Sequence, residues 1–244
     1  ACHNSELVPV FNLGIQPLAN DFCSINEEHA GHAPLEVLFC NECSLGQLSV
    51  VVRPEILFSK YAYTTSSSET MRKHFDSLCD AIGPVRSAIE IGSNDGRFLA
   101  HLRGRGATSI LGIDPATNLA AQANIALSVP TIAKEFGLSV ADELRRMMPD
   151  SDLIIARHVF CHCPDWHSFI AALQVLAGPQ TQIVIEVPHA EKTLANVEFD
   201  TIYHEHMSYL TIKSVQAALA GTDLCIAKVE KYAIHGGTIA LFLK

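Results

Sequence analysis

The chain has 244 residues, of which 48% are hydrophobic and 18% charged, a composition that excludes an intrinsically disordered protein. Its length fits one large domain or a domain with a small appendage, because single cores stop growing near about 250 residues. The net charge of −9 argues against a nucleic-acid or anionic-membrane surface, although it permits an anionic small-molecule substrate. We expect neither a secretory leader nor a membrane span, since the longest apolar stretch, 168–185, is interrupted by glycine, proline and glutamine.

The eight cysteines are unevenly distributed along the chain. Four of them lie within residues 1–43 and the other four are scattered over the remaining two hundred or so positions. This asymmetry predicts two modules. In a chain of this length the cysteines are more consistent with metal ligands and buried thiols of a cytoplasmic protein than with a disulfide framework.

The first module contains a C-x-x-C knuckle, Cys40-Asn-Glu-Cys43. Such a turn directs two thiolates at one tetrahedral zinc ion and requires further ligands from elsewhere in the chain. Cys2 is the predicted third ligand. Three candidates remain for the fourth: Cys23, His3, or a residue preceding position 1. The alternative is a set of reduced thiols without a metal.

A connector follows the first module. Ser66 and Glu69 have the spacing of a helix capping box, which predicts a helix there. Its apolar positions recur at helical intervals at Met71, Phe75 and Leu78. Tyr61 and Tyr63 precede this helix and are either solvent-facing linker residues or part of a cleft between the modules.

From residue 85 onward, short apolar strands alternate with helical patterns, which predicts an α/β fold with a parallel sheet covered on both faces. The predicted strands are Val85 to Ile91, Ser109 to Ile113, Asp152 to Ala156 and Gln182 to Val187. The helical faces are marked by Phe98, Leu99 and Leu102, by Leu138, Ala141, Leu144 and Met148, and by Phe169, Leu173 and Leu176. Two final β-rich runs, Leu224 to Lys231 and Thr238 to Leu243, predict a hairpin.

The first of these strands ends in a glycine-containing loop, Glu90-Ile-Gly92-Ser-Asn94-Asp-Gly96. The carboxyl edge of a doubly wound sheet is where cofactors bind, and glycine lets a ligand approach the backbone. A dinucleotide fingerprint would require glycine in place of Asn94, and a P-loop would require Gly-Lys-Ser/Thr. The Glu-x-Gly-x-x-x-Gly spacing instead resembles the first motif of S-adenosylmethionine (SAM) methyltransferases. The alternative is a purely structural turn.

Asp114 ends the second predicted strand, at the place where a carboxylate can accept hydrogen bonds from the two hydroxyls of a ribose. The order of the two features, loop first and carboxylate second, strengthens the prediction of SAM binding. We therefore predict that Glu90, Gly92, Asn94, Gly96 and Asp114 form the cofactor site.

Histidines follow two of the predicted strands. Tyr203-His204-Glu205-His206 comes after the fourth strand and His162 after the third, so both groups could face one active site. Such a cluster offers a base near neutral pH, a carboxylate that fixes its tautomer, and a phenol that donates to an oxyanion. A hydrogen-bonded surface loop is the alternative. Cys161-His162-Cys163 could also bind a metal, but adjacent residues rarely converge on one tetrahedral ion.

These motifs together resemble the zinc-containing, SAM-dependent C-methyltransferases that act on nucleotide-linked keto-sugars in deoxysugar and antibiotic biosynthesis. The resemblance covers almost the whole chain. It is carried by 13–20, 40–47, 61–63, 90–96, His162, 203–206 and 235–237. It implies a Rossmann-like methyltransferase sheet with a small zinc module, and it implies that family members continue into a further carboxyl-terminal domain.

The resemblance also implies a reaction and roles for individual residues. Methylation would occur at the carbon next to a ketone, with His206 as the base and Glu205 orienting it. Tyr203 and His162 would stabilise the enolate oxygen. Substrate would be bound by Tyr61, Tyr63 and His235. The zinc ion, bound by Cys2, Cys40 and Cys43, would be structural.

The expected organisation is a zinc-binding module over 1–60, a connector with a helix over 61–84, and a SAM-binding domain over 85–244. The expected substrate is a small nucleotide-linked sugar, with no nucleic acid or membrane partner. Two other functions remain open at this point: a SAM-dependent O-methyltransferase of a small molecule, and a SAM- and zinc-binding interaction module without catalysis.

Overall fold

A computed structural model describes residues 1–20, 22, 24–27, 31–58, 61–65 and 68–244. Two sheets organise the described residues. The small sheet has the order β1-β2-β3-β9 and is antiparallel, and the large sheet has the order β10-β11-β8-β7-β4-β5-β6. The strands are β1 Val8–Pro17, β2 His32–Phe39, β3 Gly46–Leu48, β4 Ser87–Ile91, β5 Ser109–Ile113, β6 Thr131–Ile132, β7 Leu153–Arg157, β8 Gln182–Pro188, β9 Ser208–Tyr209, β10 Ile226–Tyr232 and β11 Thr238–Leu243.

The helices lie between these strands. They are α1 Pro54–Phe58, α2 Glu69–Ile82, α3 Arg97–Gly104, α4 Thr117–Ala126, α5 Leu138–Met147, α6 Trp166–Leu176, α7 Ala190–Ala195 and α8 Ile212–Leu219. The connector helix is confirmed as α2, and Met71, Phe75 and Leu78 are buried on it. The hydroxyl of Ser68 caps it by accepting from the backbone N–H of Met71. Ser66, the predicted cap, lies outside the described residues.

The large sheet confirms the predicted α/β architecture. Strands β6, β5, β4, β7 and β8 are parallel, and the hairpin of β10 and β11 adds two antiparallel-paired strands at the edge next to β8. Alternate residues of each strand point to opposite faces. On one face Ile89, Ile154 and Ile185 pack under α5, α6 and α8, and on the other Ala88, Ile155 and Val184 pack under α2 and α3. The apolar runs of the sequence reflect burial on both sides.

Several elements had no clear signal in the sequence. Helix α4 buries only Leu119, Ala120 and Ala123, so an alanine-rich face produced little periodicity. Strands β1 and β2 were also unpredicted. The side chains of β1 are mostly exposed, and an exposed strand lacks the apolar alternation that reveals a half-buried one.

The small sheet is completed by a segment distant in the sequence. Gly46 and Gln47 of β3 pair with Tyr209 and Ser208 of β9. The backbone N–H of Leu48 donates to the carbonyl of Met207 over 3.0 Å. The histidine-containing loop before β9 is therefore attached to the cysteine-containing module.

Candidate active site

The loop after β4 forms one wall of the main cavity. Gly92 lies at φ +65°, in the left-handed region, and an added Cβ there would collide with the side chain of Val159. The N–H of Gly92 donates to the carbonyl of Ile113 over 2.7 Å, which ties the loop to the end of β5. Glycine is required here because both the backbone conformation and the close approach exclude a side chain.

Asn94 and Asp114 are joined across this edge. The backbone N–H of Asn94 donates to Oδ2 of Asp114 over 2.7 Å, and that of Ala116 donates to Oδ1 over 2.9 Å. Burial raises the pKa of Asp114, and these two hydrogen bonds partly offset that shift because they lower the pKa. Each carboxylate oxygen keeps a second lone pair, so Asp114 can still accept from ribose hydroxyls. Gly92, Asn94 and Asp114 all line the cavity, an arrangement that fits SAM.

Two residues predicted to contact the cofactor have other roles. Glu90 is completely buried on the α2/α3 face of the sheet, where Arg157 Nε donates to its Oε1 over 2.8 Å. Burial raises its pKa to about 7, despite the opposing effect of Arg157. An added Cβ at Gly96 would lie 3.0 Å from Ala123, so this glycine allows helix packing. Neither residue lines the cavity, so cofactor contact by Glu90 and Gly96 stays a prediction.

The opposite wall carries a tyrosine–histidine pair. The hydroxyl of Tyr203 lies 2.9 Å from Nε2 of His206, and Nδ1 of His206 lies 2.8 Å from the carbonyl oxygen of Thr201. Because a carbonyl can only accept, Nδ1 carries the proton and Nε2 has the free lone pair. Tyr203 therefore donates to Nε2. Burial lowers the pKa of His206 to about 4, which keeps the imidazole neutral at pH 7.

Glu205 does not orient His206, contrary to the prediction. Its two oxygens accept from the amide of Asn20 and from the hydroxyl of Tyr61, each over 2.7 Å. The reason is the turn at 203–206, in which the consecutive side chains of Glu205 and His206 take different directions. The Thr201 carbonyl fixes the histidine tautomer, while Glu205 joins the loop to the amino-terminal module.

His162 lies on the same wall, in a 3-10 turn after β7. Its ring stacks between Phe58, with ring centroids 5.4 Å apart, and His206, at 5.2 Å. Its Nε2 is buried and has no hydrogen-bond partner among the described residues. Burial lowers the pKa of His162 well below its usual range, so this ring is neutral as well.

The two walls face a single cavity of about 1040 Å³. Tyr61, Tyr63 and His235 line it together with Tyr203, His162 and His206, so the structure brings the predicted substrate residues to the predicted catalytic ones. His235 has a left-handed backbone, φ +48°, and its ring packs edge-on against that of His158 with centroids 4.8 Å apart.

Among the residues that line this cavity, four that bear on its chemistry were not assigned to the site from the sequence. Asn20 and Phe58 come from the amino-terminal module, Arg157 ends β7 and His158 directly follows it. The last two could have been found, because they occupy the same strand end that drew attention to His162. Asn20 and Phe58 had no such signal, since only the packing of the module against the sheet brings them to the cavity.

The cysteine cluster fits zinc. The Sγ atoms of Cys2, Cys40 and Cys43 all lie within 4.8 Å of one another, and those of Cys2 and Cys40 are 3.6 Å apart. Tetrahedral Zn–S bonds of about 2.3 Å place neighbouring sulfurs about 3.8 Å apart. His3 stacks on His167 at 4.5 Å instead of joining this cluster, and Cys23 lies outside the described residues.

Solved methyltransferase structures share this fold. Magnesium protoporphyrin IX methyltransferase (ChlM) from Synechocystis, with bound SAH, matches with a TM-score of 0.52 at 13% identity, over 74% of this chain and 89% of that one. A SAM-dependent methyltransferase from Aquifex aeolicus matches with a TM-score of 0.53 at 15% identity, over 69% and 88%. The fold is that of the class I SAM-binding methyltransferases.

The chain belongs to the methyltransferase domain family, whose profile, described as "Methyltransferase domain", matches residues 63–229. A profile described as a zinc binding domain matches residues 1–58. C-methyltransferase NovU from Streptomyces niveus is 32% identical over 249 residues, covering 99% of this chain and 59% of NovU. The chain thus spans less than two thirds of this relative's length. Within the described residues, the helices lack the length and apolarity needed to cross a membrane.

Proposed function

We propose that the protein is a SAM-dependent C-methyltransferase that methylates the carbon next to the ketone of a nucleotide-linked keto-deoxysugar. One observation carries this proposal: the cofactor edge and the Tyr203–His206 pair face the same cavity. The likeness to C-methyltransferase NovU supports transfer to carbon, since that name describes the relative's reaction.

Carbon next to a ketone becomes nucleophilic only when its proton is removed. Nε2 of His206 is the proposed base, because the Thr201 carbonyl holds the ring proton on Nδ1 and leaves the lone pair on Nε2, which accepts from the Tyr203 hydroxyl until that hydroxyl turns to the substrate. A base in this position can accelerate the step by about 10²- to 10⁴-fold. SAM, when bound, supplies an electrophilic methyl group.

Proton transfer to His206 leaves negative charge on the ketone oxygen, as an enolate. Tyr203 is the proposed donor to that oxygen. When substrate binds, its hydroxyl proton turns from Nε2 to the ketone oxygen, and the Nε2 lone pair is then free to take the proton from carbon. His162 is the second proposed donor, since its Nε2 is unpartnered among the described residues. Donors fixed before reaction stabilise an oxyanion by several kcal/mol, typically about 3.

The amino-terminal module provides the proposed cover over the sugar. Tyr61 is held by Glu205, whereas the hydroxyl of Tyr63 has no such anchor and its side chain is half exposed. We therefore assign Tyr63 to substrate contact and Tyr61 to the support of the loop. We also propose a cytoplasmic location, which fits the lack of a disulfide bond among the seven described cysteines.

The experiment is product analysis with SAM carrying a ¹³C-labelled methyl group and a keto-deoxysugar nucleotide. The proposal predicts a methyl resonance coupled to a ring-carbon neighbour. A methyl resonance at the chemical shift of a methoxy group would instead identify an O-methyltransferase. SAM binding without any labelled product, on this substrate class, would identify a binding module.

A further inference from the structure

We propose that a second divalent-metal site lies at the floor of the cavity, formed by Cys161, His162 and His206, and that a thiophilic ion bound there inhibits the enzyme. One ligand atom from each of the three residues lies within 4.8 Å of the others. This cluster is distinct from the Cys2, Cys40 and Cys43 cluster of the zinc module, which contains no histidine.

The donor set suits zinc or cobalt. One thiolate and two neutral imidazoles with an open fourth position resemble the mixed sulfur and nitrogen sets of open zinc sites. His162 and His206 line the cavity, whereas Cys161 does not and is only 1% exposed. The thiol therefore lies beneath the two rings, and the open position faces the cavity.

The ligand atoms are available without breaking the fold. Nε2 of His162 is buried and unpartnered among the described residues, which is an unfavourable state that a metal ion would relieve. Nε2 of His206 is bonded only to the Tyr203 hydroxyl, while Nδ1 is held separately by Thr201. Ligands of a tetrahedral ion are about 3.3 to 3.8 Å apart, so atoms that lie within 4.8 Å of one another need to approach by at most about 1.5 Å to share an ion. The stacked rings must turn toward the ion for this to occur.

Occupation of this site removes the proposed base. The ion takes the Nε2 lone pair of His206 that would otherwise accept the substrate proton, and it displaces the Tyr203 hydroxyl. Cys161 loses its thiol proton to solvent as its thiolate binds the ion. The predicted inhibition by excess Zn²⁺ rests on the proposed function, because it requires His206 to be the base. Metal binding itself does not depend on which substrate the enzyme uses.

The neighbouring cysteine offers a matched control. Cys163 lies two residues away and lines the cavity, yet its Sγ donates to the carbonyl of Asp165 over 3.2 Å and is not part of the cluster. Cys161→Ser should remove the site and Cys163→Ser should retain it. Neither thiol has a role in the proposed reaction.

The test begins with protein that retains one zinc ion per chain after dialysis, measured by mass spectrometry of the metal. Addition of Co²⁺ to the wild type should bind a second ion, with visible absorption of tetrahedral cobalt and a thiolate charge-transfer band. Both signals should persist in Cys163→Ser and disappear in Cys161→Ser. His162→Gln, measured for metal binding only, should also lose the second ion if Cys161→Ser is poorly folded.

Activity gives an independent readout. Excess Zn²⁺ should lower methyl transfer by the wild type and by Cys163→Ser by about tenfold or more, because the base contributes at least that much, and should leave Cys161→Ser active. The proposal is overturned if the wild type binds a single metal ion, if the cobalt bands survive in both Cys161→Ser and His162→Gln, or if Zn²⁺ accelerates the reaction. The cobalt bands remain informative even if the proposed substrate is wrong.

Discussion

The two walls of the cavity are built in different ways. The cofactor wall, with Gly92, Asn94 and Asp114, is formed by loops that directly follow adjacent parallel strands. Its described hydrogen bonds join these loops to each other, to Thr65 and Tyr63 of the connector and to Ile132, and none of them reaches residues 1–58. The catalytic wall is formed by 201–211, and this segment is held by residues far away in the sequence. The difference indicates that the sheet and the connector hold the cofactor wall, whereas the loop proposed to be catalytic is held by the amino-terminal module.

In addition to the pairing of β3 with β9, four hydrogen-bonding contacts attach the segment 201–211 to the zinc module. The ring of His204 lies 3.1 Å from the carbonyl of Ala33, and the hydroxyl of Thr211 donates to the carbonyl of Ser44 over 3.2 Å. The other two contacts are Asn20 with Glu205 and Leu48 with Met207. Ser44 directly follows the knuckle cysteine, so the metal cluster and the catalytic loop are separated by a single contact.

The largest expected effect is on the rate of methyl transfer, without a change in SAM binding. His206→Asn should lower methyl transfer by about 10²- to 10⁴-fold, because the proposed base is lost, and should leave SAM affinity unchanged. Single-turnover transfer and calorimetric titration with SAM measure the two quantities. Unchanged transfer with intact SAM binding would disprove the role of His206.

Loss of the zinc site should impair methyl transfer much more than SAM binding. Cys40→Ser should lower methyl transfer by about 100-fold, since a displacement of roughly 1 Å in a catalytic group has that effect. SAM affinity should change by less than about threefold, because the described hydrogen bonds of Gly92, Asn94 and Asp114 do not reach residues 1–58. Cys225→Ser, which alters an exposed thiol, is the control. An equal loss of both functions would contradict the proposed independence of the two walls.

Gly92→Ala should have the opposite pattern, with the main loss in SAM binding. Left-handed strain costs about 1 to 2 kcal/mol and the collision with Val159 about 1 to 3 kcal/mol, so SAM affinity should fall by about tenfold or more. Gly106→Ala is matched, because Gly106 also has a positive φ, +108°, but open space around its Cβ position. Equal effects of the two substitutions on SAM affinity would refute the argument from close approach.

Glu205→Gln tests the link between the modules at one residue. The amide keeps the shape but loses the charge that strengthens the hydrogen bonds from Asn20 and Tyr61, worth about 1.5 to 3 kcal/mol each for bonds to charged groups. We expect a loss of about tenfold in methyl transfer with an unshifted pH profile. A shifted acid limb would show that Glu205 acts on the base directly.

The smallest effect is on stability at low pH. Burial lowers the pKa of His158 to about 3, and His235, Arg157 and His206 act in the same direction against the opposing charge of Glu186. Between pH 6.5 and about 3, His158 is therefore protonated in the unfolded chain but not in the folded protein. The free energy of unfolding consequently falls as the pH decreases through this range. His158→Asn, which tolerates the left-handed backbone, should reduce this loss between pH 7 and 5 in denaturant unfolding. An identical pH slope in both proteins would exclude the contribution of His158.

The sequence was sufficient for most strands of the large sheet and for grouping several candidate site residues at one edge of it. Strand ends place Gly92, Asp114 and His162 on one edge, so their convergence follows from the parallel topology. The sequence was not sufficient to predict which residues of the two modules contact each other. The role assigned to Glu205 was wrong because proximity along the chain suggested His206 as its partner, while packing brings Asn20 and Tyr61 closer. Glu90 lies away from the cavity wall, which its motif could not indicate, because a motif gives no information on which face of a strand a side chain occupies.

The most direct test of the central claim is hydrogen–deuterium exchange at the carbon next to the ketone of a keto-deoxysugar nucleotide, in deuterated water and without SAM. Our account predicts that the wild-type protein catalyses this exchange, because His206 removes the proton before methyl transfer, and that His206→Asn does not. Methyl transfer by the wild type without any such exchange in the absence of SAM, or equal exchange by the two proteins, would contradict it.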